Sequence, residues 1–64
     1  MIVHLSGKLI IKDPSYAIVD VQGVGYKVFI SLNTFNALPN INKDVYISTY
    51  YNVTEKSHDL FGFN

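Results

Sequence analysis

The sequence contains no cysteine and no arginine, and each absence removes a class of function. Without cysteine, the 64-residue chain cannot form a disulfide, a Cys-rich zinc site or a redox motif. Without arginine, it cannot hold a phosphate or a guanine through two parallel hydrogen bonds. Five lysines balance five acidic residues, and the pI is near 6.7, whereas a free-standing DNA-binding domain usually has a basic face. We therefore do not expect phosphate binding to be the main task of this chain.

Long apolar runs and targeting signals are also lacking. Hydrophobic residues make up 48% of the chain but are spread over short segments, so no stretch is long enough to cross a membrane. Residues 1–5 lack the basic start and apolar block of a secretory signal, which predicts a cytoplasmic protein. A chain this short buries only about 60% of its unfolded surface, so we expect its stability to depend on packing and self-association.

The order of apolar and polar residues predicts an all-β chain. Alternation indicates strands over 1–12 and 44–54, and runs rich in β-branched residues indicate strands over 16–21 and 26–30, with a last short strand over 60–63. These ranges leave polar turns between them, including a four-residue turn over 22–25 and a polar tip over 55–59.

Local details of the first strand and of the connection after the third can also be predicted. In the first strand, the alternation places Leu9 and Ile11 inside and Lys12 outside, and Gly7 indicates a bulge or a bend. Ser31 is expected to cap one short helix over 32–38. The apolar residues of that helix recur at a spacing of three: Leu32, Phe35 and Leu38.

Five strands with one short helix between the third and the fourth are the order of an OB-fold, a small Greek-key barrel that closes on itself. The alternation also places apolar residues on the outside of this barrel: Ile2, Ile10, Ile18, Phe29, Tyr46 and Tyr50. Single exposed hydrophobic residues are common and mean little. A contiguous apolar patch on a small domain favours association with other subunits, and this is the interpretation that we prefer.

No residue pattern predicts catalysis, a cofactor or a metal. Gly23-Val24-Gly25 resembles part of a phosphate loop but lacks the third glycine and the following helix, which favours a hairpin turn. His4 and His58 are the only imidazoles and have no spaced acidic partner that would indicate zinc. We therefore expect a non-catalytic chain without cofactor, metal or small-molecule substrate.

Several segments, taken in order, resemble one family. They are Leu5-Ser6-Gly7-Lys8-Leu9, the stretch from Ile18 through Gly23-Val24-Gly25-Tyr26 to Val28, Leu38-Pro39, and Leu60-Phe61-Gly62-Phe63 at the end. Each segment is weak alone, but together they span the chain and resemble the first domain of the RuvA family. The resemblance identifies residues 1–64 as an oligomerisation and junction-centre domain.

The resemblance implies a homotetramer that holds four-way (Holliday) junction DNA during homologous recombination and DNA repair, within the SOS response to DNA damage. In this family, helix-hairpin-helix motifs in a second domain bind DNA, and a third domain engages the hexameric ATPase RuvB. The ATP-dependent helicase activity resides in the complex with RuvB. Both further domains are expected to lie outside the present chain, which would explain its neutral charge.

The resemblance also implies a pin at the junction centre, formed by the hairpin between the last two strands. Where the family typically carries Arg-Glu-Asp, this sequence reads Thr54-Glu55-Lys56. Glu55 then supplies the phosphate-repelling charge, and Asp59 adds to it if it points the same way. Lys56 either weakens the pin or contacts a phosphate directly.

Two alternative functions stay open. One is a stand-alone OB-fold that binds single-stranded DNA, with Phe29, Tyr46 and Tyr50 as stacking platforms. The other is a structural oligomerisation module of an unrelated assembly, which a neutral chain with an apolar outer face would suit equally well.

Overall fold

The computed structural model describes residues 2–53 and 58–63, which form a five-stranded barrel with one helix. The elements are, in order, β1 (Ile2–Lys12), β2 (Tyr16–Val21), β3 (Val24–Ile30), α1 (Leu32–Ala37), β4 (Asp44–Val53) and β5 (His58–Phe63). Around the barrel the strand order is β1-β2-β3-β5-β4, and β4 pairs with β1 to close it. The predicted OB-fold, with its helix between the third and fourth strands, is confirmed.

The first strand is long because it serves two neighbours. Residues 2–8 pair with β4, and residues 8–12 pair with β2, with a bulge between Leu9 and Ile11. The extra residue moves the following side chains to the opposite faces. Lys12 therefore stands opposite the buried Ala17, while Ile11 is 40% exposed. The prediction that Ile11 faces inward and Lys12 outward was wrong because of this bulge.

Gly7 has a different role from the predicted bulge. It pairs regularly with Val45 of β4. A side chain at Gly7 would collide with the backbone carbonyl of Asp20 on β2. Glycine thus allows a close approach of β1 to β2, and the bulge itself begins two residues later.

The core consists of inward residues from β1, β2, β3 and β4. Its buried apolar members are Leu9, Ala17, Val19, Val28, Val45 and Ile47. They recur at every second position of their strands, as expected when one face of a pleated strand is buried. Each large member contributes about 1.5–3 kcal/mol through burial of apolar surface, and these contacts hold the barrel together.

A two-residue turn joins β2 to β3. Val21 and Val24 are the last residue pair of the two strands, and Gln22 and Gly23 between them have φ values of 53° and 90°. Positive φ at both central positions is typical of a type I′ hairpin turn. The predicted hairpin is confirmed, although β3 begins at Val24 and the predicted four-residue turn was too long.

The helix is capped as predicted, but it packs differently. The Ser31 Oγ accepts a hydrogen bond from the Thr34 backbone N–H at 3.2 Å. Leu32 is 61% exposed and Thr34 is buried instead. A spacing of three residues drifts about 60° around a helix at each step, so Leu32 and Leu38 cannot share one narrow face. In the described part of the chain, no helix is long and apolar enough to span a membrane.

Candidate nucleic-acid and assembly surfaces

An outward aromatic face crosses four strands of the barrel. On β4 the odd-numbered residues from 45 to 49 are buried, so Tyr46 and Tyr50 point outward. The His4 ring of β1 stacks on Tyr46 with ring centroids 5.0 Å apart. Tyr50 stands opposite Phe61 of β5, whose ring lies 5.9 Å from the ring of Phe29 on β3. These five residues are called the aromatic face below.

One lysine extends the aromatic face toward β2. The Lys27 Nζ lies 4.7 Å from the ring centroid of Tyr16 and 5.2 Å from that of Phe29. Such contacts contribute about 0.5–1 kcal/mol each at exposed sites. They hold the ammonium group against the barrel surface, so this edge of the aromatic face carries positive charge.

The outward apolar residues predicted from the sequence lie mostly where expected. Tyr46, Tyr50, Phe29 and Ile10 are exposed, with Tyr46 the most open at 65%. Ile18 is half-buried, and the side chain of Ile2 lies outside the described residues. The sequence interpretation missed Phe61 and Phe63, which flank the buried Gly62 and are 41% and 42% exposed. Continuing the alternation through Gly62 as an inward position would have found both.

A second candidate site is a cleft of about 570 Å³ at the junction between β3 and β5. The described parts of these strands pair at two positions only, Phe29 with Phe61 and Ile30 with Gly62. Tyr26 therefore has a neighbour on β2 but no described strand partner on its other side. The cleft is lined by Val3, Leu5, Tyr26, Lys27, Phe29, Thr49, Tyr51, Asp59 and Leu60.

The buried end of this cleft holds an unusual polar group. Thr49 is completely buried, and its Oγ1 has no hydrogen-bond partner within residues 2–53 and 58–63. An unpaired buried hydroxyl costs about 1–3 kcal/mol, and a hydrogen bond from a group that enters the cleft would remove this cost. Tyr26 and Tyr51, which are 40% and 39% exposed, provide aromatic surface nearby. The sequence indicated only that a polar residue occupies an inward position of β4.

The predicted pin is only partly within the described structure. Glu55 and Lys56 lie outside the described residues. Asp59 is the second residue of β5, pairs with Asn52 of β4 and lines the cleft. Its assignment to the polar tip was therefore wrong, because β5 begins at His58 and includes it. The role of Asp59 in a pin stays a prediction.

Two other charged residues have structural roles. The Lys12 Nζ donates to the Leu38 carbonyl at 3.1 Å and lies 5.1 Å from the Phe35 ring centroid, which fastens the end of the helix to the barrel. The Asp13 carboxylate accepts from the backbone N–H of Ser15 at 3.0 Å and from its hydroxyl at 2.8 Å. These bonds lower the pKa of Asp13, with the backbone bond as the larger cause. Among the described residues, no cluster of three or more histidine or acidic side chains could hold a metal.

A closed five-stranded barrel with one short helix between its third and fourth strands belongs to the OB-fold class. Comparison with protein families matches residues 1–62 to "RuvA N terminal domain". The chain belongs to this family.

Relatives over the whole chain agree with the family match. The relative from Cytophaga hutchinsonii is 46% identical over 63 residues, which cover 98% of this chain and 31% of the relative. The relative from Christiangramia forsetii is 44% identical, with 98% and 32% covered. The relative from Amoebophilus asiaticus is 41% identical, with 100% and 33% covered. All three are named "Holliday junction branch migration complex subunit RuvA", and this chain spans about a third of their length.

Proposed function

We propose that this chain is the N-terminal domain of a Holliday-junction-binding subunit and that it joins four subunits into a homotetramer on four-way DNA. The family match over residues 1–62 carries this proposal, together with relatives that are named as branch migration complex subunits. The domain is non-catalytic and acts in the cytoplasm, in recombination and repair. The partner motor RuvB supplies ATP hydrolysis and is engaged through another domain.

The aromatic face is the proposed contact between subunits. Its five side chains come from four strands and include two ring pairs, so it is a broad and rigid surface. Aromatic residues are enriched in the centres of protein interfaces because they bury much area at a small entropy cost. The zero net charge also supports a role in assembly and not in phosphate binding, because an assembly domain needs no excess of lysine. DNA phosphates are then bound by the part of the subunit that the relatives have in addition.

A chimera tests the assembly role. The chain replaces the N-terminal third of the Cytophaga hutchinsonii relative, and sedimentation and a gel shift with four-way and duplex DNA are measured. We expect a tetramer that prefers the four-way junction. Phe61→Lys should dissociate it because a charge is then buried at the contact. Val24→Lys is the matched control because Val24 is 54% exposed at the β2–β3 hairpin, outside the aromatic face. A chimera that binds the junction equally well as a monomer contradicts the proposal.

The pin is proposed at Glu55 and Lys56, which follow β4 in the sequence, and at Asp59 of β5. Lys56→Asp in the same chimera should weaken junction binding at low salt and leave duplex binding unchanged, because a phosphate contact is sensitive to salt. Lys43→Asp makes the same charge change at an exposed residue before β4 and should have little effect. Unchanged junction affinity at every salt concentration would exclude a phosphate contact by Lys56 and leave the weakened pin as its role.

A further inference from the structure

The cleft between β3 and β5 has a chemical character that subunit assembly does not explain. Its surface is mostly aliphatic and aromatic, and its volume of about 570 Å³ lies within the range of small-ligand sites. Its polar groups are few. Among the described lining residues they are the unpaired hydroxyl of Thr49, the phenol hydroxyls of Tyr26 and Tyr51, the two charged side chains of Lys27 and Asp59, and the edge of β3 near Tyr26.

We propose that this cleft binds one unstacked nucleobase of single-stranded DNA. A nucleobase has two apolar faces and an edge of hydrogen-bond donors and acceptors, and a slot with apolar walls and a few polar groups matches that pattern. The phenol rings of Tyr26 and Tyr51 provide stacking surface, and the Thr49 Oγ1 provides a hydrogen bond to the base edge. A purely aliphatic occupant would leave that hydroxyl unpaired.

The charges of the cleft favour the base over the phosphate. Among the described residues that line the cleft, Lys27 and Asp59 are the only charged ones, and their charges are opposite in sign. A neutral ring is therefore a better match than a phosphate group, which would meet a carboxylate as well as an ammonium. In OB-folds, the side of the barrel next to the β4–β5 connection commonly binds oligonucleotides. Asp59 and Leu60, which follow that connection, bring the cleft to this side.

The proposal depends on the proposed function in one respect only: the unstacked base would come from an unpaired nucleotide near the centre of a junction. Its test therefore uses single strands and no junction. The 64-residue chain, labelled with ¹⁵N, is titrated with oligothymidylate of about six nucleotides, the lower range of a single OB-fold site. An abasic oligomer of the same length and charge separates base binding from phosphate binding. Amide spectra of each variant also report whether it is folded.

We expect the oligothymidylate to shift the amide signals of Thr49, Tyr51 and Leu60, and the abasic oligomer to leave them in place. Tyr51→Ala should weaken binding about tenfold through loss of stacking. Thr49→Val has the same shape and should weaken binding about threefold through loss of one hydrogen bond. Phe63→Ala is the matched control because it removes an exposed aromatic ring of β5 that neither lines the cleft nor belongs to the aromatic face, and it should bind like the parent chain.

Four results would overturn the proposal. They are equal shifts with the abasic oligomer, shifts confined to the aromatic face, unchanged affinity in both cleft variants, and cleft signals that move with protein concentration alone. The last result would mean that a second copy of the chain occupies the cleft. None of them would affect assembly of the chimera on a junction, so the two proposals can fail separately.

Discussion

Replacing Gly62 with alanine tests how the barrel is closed. Gly62 lies on the inner side of β5, where this strand meets β3. An added Cβ would lie 2.5 Å from the Val28 Cγ1 and 2.7 Å from the Ile47 Cδ1, well below the 3.4 Å at which ordinary contact begins. Both neighbours are at most 1% exposed, and valine is stiff at its first side-chain torsion. The extra methyl group therefore fits only if the buried side chains of Val28 and Ile47 move.

Insertion of one methyl group into a filled core costs about 1–3 kcal/mol. For a domain of this size, a loss of about 2 kcal/mol lowers Tm by roughly 8–16 °C. Thermal unfolding followed by circular dichroism measures this shift. Gly25→Ala is the matched control because its Cβ would lie 3.4 Å from the Ile18 Cγ2, an ordinary contact. We expect Gly25→Ala to leave Tm unchanged or to raise it slightly, since alanine loses less backbone entropy on folding.

The reasoning is refuted if the Tm of Gly62→Ala lies within about 2 °C of the Tm of the parent chain, which is at most half the shift expected for a loss of 1 kcal/mol. It is also refuted if the two alanine variants lose the same stability. In that case, the loss would reflect the strand environment of any glycine and not the filled space around Gly62.

Three further predictions concern local geometry. Gln22→Asn should raise the free energy of unfolding by about 0.5–1 kcal/mol in urea titrations, because asparagine tolerates the left-handed φ of 53° better than glutamine does; a decrease would contradict this. Thr49→Val should stabilise the free chain by about 1 kcal/mol in the same assay, since it removes an unpaired buried hydroxyl, and a loss of stability would mean that this hydroxyl has a partner. The pKa of Asp13, measured by NMR of the carboxyl carbon, should lie below its ordinary value of 3.8, and Ser15→Ala should move it back part of the way. The stabilisation from this carboxylate is then complete above its unfolded pKa and is lost as the pH falls through the lowered value.

The periodic parts of the fold could be predicted from the sequence. Alternation over β4 placed Val45 and Ile47 inside and Tyr46 and Tyr50 outside, because a strand buried on one face leaves a two-residue period. The cap at Ser31 was also predictable, since it depends only on residues next to it in the chain.

The features that the sequence did not reveal depend on distant segments. The bulge of β1 falls within Leu9-Ile10-Ile11, where three consecutive apolar residues give no sign of which one is extra. The position of the bulge is set by the pairing of β1 with both β4 and β2. The cleft likewise depends on the number of residues over which β3 and β5 are paired, and no local sequence pattern predicts this number. Burial of Thr34 in place of Leu32 reflects how the short helix lies on the barrel, which is again a matter of tertiary packing.

The short pairing of β3 with β5 has a consequence for the order in which the chain folds. The β2–β3 hairpin closes over two residues, whereas Phe29 and Phe61 are about thirty residues apart in the sequence. Closing a long loop costs more entropy than closing a short one, and the two residue pairs between β3 and β5 contribute little stabilisation to offset this loss. We therefore expect the three-stranded meander β1-β2-β3 to form early and the contact between β3 and β5 to form last. Native-state hydrogen exchange should then be fastest along this contact, so that the barrel opens first where its folding ends.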